Sequence, residues 1–194
     1  MTDITNKKFT FGTKAETLYR LESHLNKCTI PKFFYFTVKE WHGNREKLLE
    51  ELQLSFENRM LIIRSSAANE DSSDTAMAGE YLSVANVSSS NEEEIITSVN
   101  DVIESYSKFE NIASMEDQVL IQEMALDVSM SGVLFTKDMN SGAPYYVINY
   151  DDETGRTDTV SSGTGYSNRT LYIHRDYGFT SLKSERFLSL IEAV

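Results

Sequence analysis

The most restrictive feature of this chain is a short apolar run that ends on a charge. Residues 60–65, MLIIRS, give way at once to SAANEDSSDTAMAG, a small and polar stretch with neither helical nor strand period. So short a run with such a boundary reads as a strand opening onto a loop, with Arg64 at the strand's end. A strand end projects a guanidinium from a rigid base, and its donors suit phosphate oxygens. The alternative is that Arg64 pairs with Glu70 or Asp71 and ties the loop down. The small side chains also suit a mobile lid through which backbone approaches a ligand.

The flanking elements predict an α+β architecture. Thr13-Lys14-Ala15-Glu16 has the form of a capping box, and Leu18, Leu21 and Leu25 continue it as an apolar stripe, a helix from about Lys14 to Asn26. Pro31 introduces the strand FFYFTV, and residues 42–56 return to helical character. After the loop, EYLSVANV reads as a strand. Ser90 or Asn91 then caps a helix whose Ile95, Ile96, Val99, Val102, Ile103 and Tyr106 form one apolar face. From about residue 114 the texture is β-rich: VLIQEM, SGVLFTKD, YYVINYD and TLYIHRD, with Gly, Asn and Asp between them. This predicts a first lobe over 1–113 and a β-rich second lobe over 114–194, with a hinge near Asn111 to Gln118 and any ligand between them. The final SERFLSLIEAV stops inside an amphipathic helix, as expected of a second lobe truncated at its C-terminal end.

Composition narrows the function classes. A formal charge of −12 on 194 residues argues against a nucleic-acid binder, which needs a basic surface, yet a few local cations and N–H groups still hold a small anion such as ATP. Cys28 is the only cysteine, so there is neither an internal disulfide nor a Cys/His zinc cluster. With no apolar run of membrane length and no signal-peptide core, the chain is expected in the cytoplasm, away from membranes. Gly12-Thr13-Lys14-Ala15 places a lysine in the first turn of a helix, a plausible anion contact or an ordinary surface helix start, and the Walker A pattern is absent.

IIRSSAANEDSSDTAMAGEYLSVANV resembles the signature of the ATP-binding domain of the pyruvate-phosphate dikinase and phosphoenolpyruvate synthase family. FGTKAETLYRL with IPKFFYFT, VLIQEM and SGVLFTKD are similar to that family's other motifs and keep its order, over about residues 11 to 165. The resemblance implies an ATP-grasp-like fold of two lobes with mixed or antiparallel sheets and flanking helices, clamping ATP and Mg2+. It implies that Lys14 and Arg64 touch the phosphates as the catalytic cations, that the backbone of Gln122, Glu123 and Met124 meets adenine, and that Thr136 and Asp138 face the triphosphate. Asn149, with Asp138 the implied metal site, stands where many members carry a metal-binding glutamate, with Asp151, Asp152 and Glu153 nearby; Met139 replaces the usual proline.

The implied function is the ATP-binding domain of a phosphoenolpyruvate synthase-like phosphotransferase. Such a domain uses MgATP to phosphorylate a histidine on a separate domain, from which a substrate domain takes the phosphate. None of His24, His42 and His174 lies in a segment like the family's acceptor, so acceptor and substrate domains are expected elsewhere, in a longer chain or separate. The alternative is a degenerate module of the same fold that holds nucleotide or a partner without transferring phosphate. A β-rich interaction protein without nucleotide is the third reading.

Overall fold

The structure is a computed structural model, and it describes residues 9–67, 81–110, 114–157, 159–162, 168–176 and 184–192. Most of the small-residue loop, with Glu70 and Asp71, lies outside the described residues, as does Asn111, where the expected hinge begins. The chain divides into two compact units, one of residues 1–25 and 29–124, the other of residues 26–28 and 125–194.

The first unit is a four-stranded antiparallel sheet in the order β1-β4-β2-β3, built from β1 (Phe33–Thr37), β2 (Met60–Ser66), β3 (Ser83–Ser88) and β4 (Gln118–Glu123). Period-two alternation gives it two distinct faces. Leu61 and Ile63 of β2, Val119 and Ile121 of β4 and Phe36 of β1 enter a core with α2 (Val38–Ser55) and α3 (Glu92–Glu110), closed by Trp41, Leu52, Phe56, Val99, Val102 and Tyr106. The opposite face carries Ile62, Arg64 and Ser66 of β2 against Gln122, Leu120 and Gln118 of β4, and α1 (Lys14–Glu22) packs over β4.

Three local features differ from the sequence-based expectation. Helix α2 starts at Val38, directly after β1, because Thr37 and Glu40 form a complete capping box: Thr37 Oγ1 accepts from Glu40 N at 3.1 Å and Glu40 Oε2 accepts from Thr37 N at 2.7 Å. At α1 only half of the expected box forms. Thr13 Oγ1 accepts from Glu16 N, while the Glu16 carboxylate turns to Gln118 and Arg20. Strand β4, read from sequence with the second lobe, pairs with both β1 and β2 at the centre of the first sheet. Its near-continuous burial, with five of six positions buried, is that of a central strand.

The second unit is a three-stranded antiparallel sheet in the order β5-β6-β7, formed by β5 (Ser131–Phe135), β6 (Tyr145–Asp151) and β7 (Arg169–His174). One face packs Leu134, Ile148, Leu171 and Ile173 against Phe187 and Ile191 of α5 (Glu185–Glu192). A short helix, α4 (Thr159–Ser162), falls in TDTVSSG. Two antiparallel sheets with flanking helices make an α+β, ATP-grasp-like fold, as the sequence predicts. Among the described residues no helix is long and apolar enough to cross a membrane.

Candidate functional site

Lys14 is the first residue of α1, and its position is set by contacts on either side of it. Thr13 caps the helix, Ala15 N donates to Ser66 Oγ at 2.9 Å, and the Lys14 ammonium lies 3.4 Å from Ser65 O. The first turn of α1 therefore sits on the end of β2. Its amides at positions 15 and 16 are already bonded within the fold, so an anion here meets the ammonium rather than a set of unused helix N–H groups.

Arg64 projects from β2 on the face that α1 covers, cross-strand from Leu120 and one step along the strand pair from both Ser66 and Gln122. Its Nε is buried and has no hydrogen-bond partner among the described residues. A buried guanidinium N–H without an acceptor costs free energy, about 1–3 kcal/mol for a polar group left unsatisfied, and an anion seated on this face offsets that cost. Gln122, on the same face, is nearly buried, with Nε2 at 3.5 Å from Pro31 O. The fold thus gathers Lys14, Arg64 and Gln122 on one sheet face.

The two residues after Gln122 behave differently. Glu123 and Arg59 form an ion pair at 3.2 Å, and Glu123 N donates to Lys32 O. Met124 N donates to Met60 O, and Met124 Sδ accepts from Asn86 N at 3.1 Å. Both amides are spent on neighbouring strands at the end of β4.

In the second unit, Thr136 is exposed beyond the end of β5. Asp138 folds the connection to β6 on itself: its carboxylate accepts from Asn140 N and Ser141 N, each at 3.3 Å, and from the Ser141 hydroxyl, while Asp138 N donates to Ala143 O. The Ser141 hydroxyl is the main cause that holds its carboxyl below the usual carboxylate range. Asn149, in β6, pairs with Val133 and Thr170, and its Oδ1 accepts from Thr170 Oγ1 at 2.8 Å. The acids after it are committed as well. Asp151 accepts from Thr154 Oγ1, Glu153 N and Thr154 N, which hold its carboxyl far below the usual range. Asp152 pairs with Arg186 at 2.8 Å and Arg169 at 3.1 Å, and Glu153 pairs with Arg169, whose guanidinium is held above its ordinary pKa by Asp152 first and Glu153 second.

The implied magnesium fits poorly on these residues. Asn149 is four residues along β6 from Tyr145, about 13 Å at the rise of a strand, and Asp138 lies beyond that end. One ion holds its oxygens at roughly 2.0–2.6 Å, so two donors of one ion sit within about 5 Å of each other. The structure does not bring Asp138 and Asn149 together. Among the described residues there is no group of three His, Cys, Asp or Glu side chains able to hold a metal.

Gln118 was not singled out from sequence. A glutamine opening a strand carries no motif, yet this one binds both ends of α1's first turn, accepting from Thr13 Oγ1 at 2.5 Å and donating to Glu16 Oε1 at 3.3 Å.

No curated protein matches the chain. A family model matches residues 38–161, a span that starts downstream of α1, so it covers Arg64, Gln122 and Asn149 but not Lys14. That model is the pyruvate phosphate dikinase AMP/ATP-binding domain; the match covers more than half of the chain, and the chain belongs to this family.

Proposed function

We propose that this ATP-binding domain serves a phosphoenolpyruvate synthase-like phosphotransferase, holding ATP while a histidine on another domain takes a phosphoryl group from it. The observation that carries this reading is the convergence of Lys14, Arg64 and Gln122 on one sheet face, with the Arg64 Nε buried and unpartnered among the described residues. In the transfer, an imidazole nitrogen of the acceptor bonds to the β-phosphorus as its bond to the AMP oxygen breaks, so AMP leaves. Water then releases the terminal phosphate to give the phosphohistidine and the inorganic phosphate that the assay reads. Negative charge collects on the α-phosphate of the departing AMP. Lys14 and Arg64 neutralise it from fixed positions, which lowers the barrier without reorganisation at the moment of reaction. The adenine is assigned to the backbone of Gln122 to Met124 through its carbonyls, since the Glu123 and Met124 amides are bonded within the fold, and Thr136 and Asp138 are assigned to the triphosphate. Among the described residues no group of three metal-binding side chains is present, and magnesium enters only as the ion that accompanies ATP. The cytoplasm is the expected compartment.

The test is to incubate the full-length protein, with its acceptor and substrate domains, with MgATP and pyruvate and to assay AMP, phosphate and phosphohistidine. Absence of all three defeats the enzyme reading. Arg64→Ala is the internal control: it lowers ATP affinity by roughly tenfold or more, the scale of one lost charge-assisted phosphate contact. Unchanged affinity and turnover remove Arg64 from the site.

A second reading, a module that holds nucleotide without transferring phosphate, is favoured by the commitment of Asp151, Asp152 and Glu153 to their own turn and to Arg169 and Arg186. ATP binding by calorimetry with no phosphohistidine in the full-length protein decides for it.

A further inference from the structure

We propose that Gln118 is a positioning residue that aims Lys14 at the nucleotide phosphates. The proposal rests on the reading of Lys14 as a phosphate contact.

Gln118 is the first residue of β4 and is 8% exposed. Its Oε1 accepts from Thr13, the residue before Lys14, and its Nε2 donates to Glu16, two residues after it. One amide thus grips the helix start on both sides of the lysine. The other end of the grip is rigid, because Gln118 O accepts from the Tyr106 hydroxyl at 2.6 Å and that hydroxyl accepts from Ser66 N at 3.2 Å. Ser66 Oγ in turn takes the Ala15 amide. Helix α1, β2, β4 and α3 meet in one hydrogen-bonded junction beside Arg64.

Such a lock has a physical reason. Helix α1 has nine residues, short enough that its first turn frays unless tertiary contacts hold it. The Gln118 amide is neutral, so it holds the helix start in place without adding a carboxylate that would compete with phosphate. Sequence spacing does not reveal the pairing, because Gln118 follows Thr13 by more than a hundred residues.

The test compares ATP and adenosine affinity in the full chain. Gln118→Glu sets a carboxylate against Glu16; it is expected to weaken ATP binding about tenfold, the loss of one charge-assisted contact, and to leave adenosine binding unchanged. Exchanging the two groups, in Glu16→Gln with Gln118→Glu, returns one amide and one carboxylate to the contact and restores ATP affinity. Gln118→Met, similar in length and uncharged, is the second variant should the carboxylate pair prevent folding, and it gives the same selective loss. Equal losses for ATP and adenosine, or no loss in either Gln118 variant while Lys14→Ala weakens ATP, overturn the proposal alone. If Lys14→Ala leaves ATP affinity unchanged, the phosphate reading of Lys14 fails and the proposal falls with it.

Discussion

At the scale of single residues, the same side-chain types separate into those that organise the fold and those left for a ligand. Asp138 organises. Its carboxylate is spent on two amides and a hydroxyl of its own turn, with the Ser141 hydroxyl the largest influence on its depressed pKa. A carboxylate whose folded pKa lies below its unfolded value adds stability that is complete above the unfolded value, about 3.9 for aspartate, and is lost as pH falls through the folded value. An NMR titration should therefore show the Asn140 and Ser141 amide shifts reaching their midpoint at a lower pH than a free aspartate does. Ser141→Ala moves the Asp138 midpoint up toward the ordinary value. If that midpoint does not move, the hydroxyl is not what holds the carboxylate. Arg64 is the contrasting case, a strand residue with a buried Nε for which the described residues supply no acceptor.

At the scale of elements, backbone spacing constrains the second sheet as tightly as any side chain. A Cβ on Gly132 of β5 would lie 2.3 Å from Asn149 O and 3.0 Å from Tyr150 Cα, both backbone atoms of β6 that no rotamer change can move aside. Gly132→Ala should separate the two strands and cost about 1–3 kcal/mol, the range for over-packing. Urea unfolding with amide exchange along β5 and β6 measures it, and exchange rates equal to wild type would show that the sheet absorbs the methyl group. Most of these elements were legible because local period announces them: the apolar stripe of α3, the β-branched and aromatic run of β1, and MLIIRS, which forms β2 one residue longer than read. The start of α2 was not, since β1 passes into the helix with no turn residues and FFYFTV reads as one run across the capping residue Thr37. The place of β4 was not legible either. Its partner β1 lies far back in the chain, and antiparallel pairing between distant segments leaves no local mark.

For the whole molecule, the motifs named Arg64 and Gln122, but that these two and Lys14 share one face follows from the alternation of β2 and β4 and from α1 docking on the end of β2, which only the assembled sheet reveals. The metal side behaves in the opposite way. Asp138 and Asn149 are close in sequence, yet the β5–β6 hairpin carries them to different levels, and the acids following Asn149 are held by Thr154, Arg169 and Arg186. Asn149 stands about 13 Å along β6 from Tyr145 at the rise of an extended strand, and Asp138 is bonded to Ala143 beyond that end. One magnesium ion therefore does not bridge the two residues. Titrating Mg2+ into the nucleotide-free chain should leave the Asp138 and Asn149 amide resonances without a shared binding curve. Asp138→Asn and Asn149→Ala should then act additively on ATP affinity in the presence of Mg2+, within about 0.5 kcal/mol, as substitutions at sites without a common partner do. A coupling well above that value, or both amides moving with one Mg2+ midpoint, would mean that the hairpin rearranges around an ion.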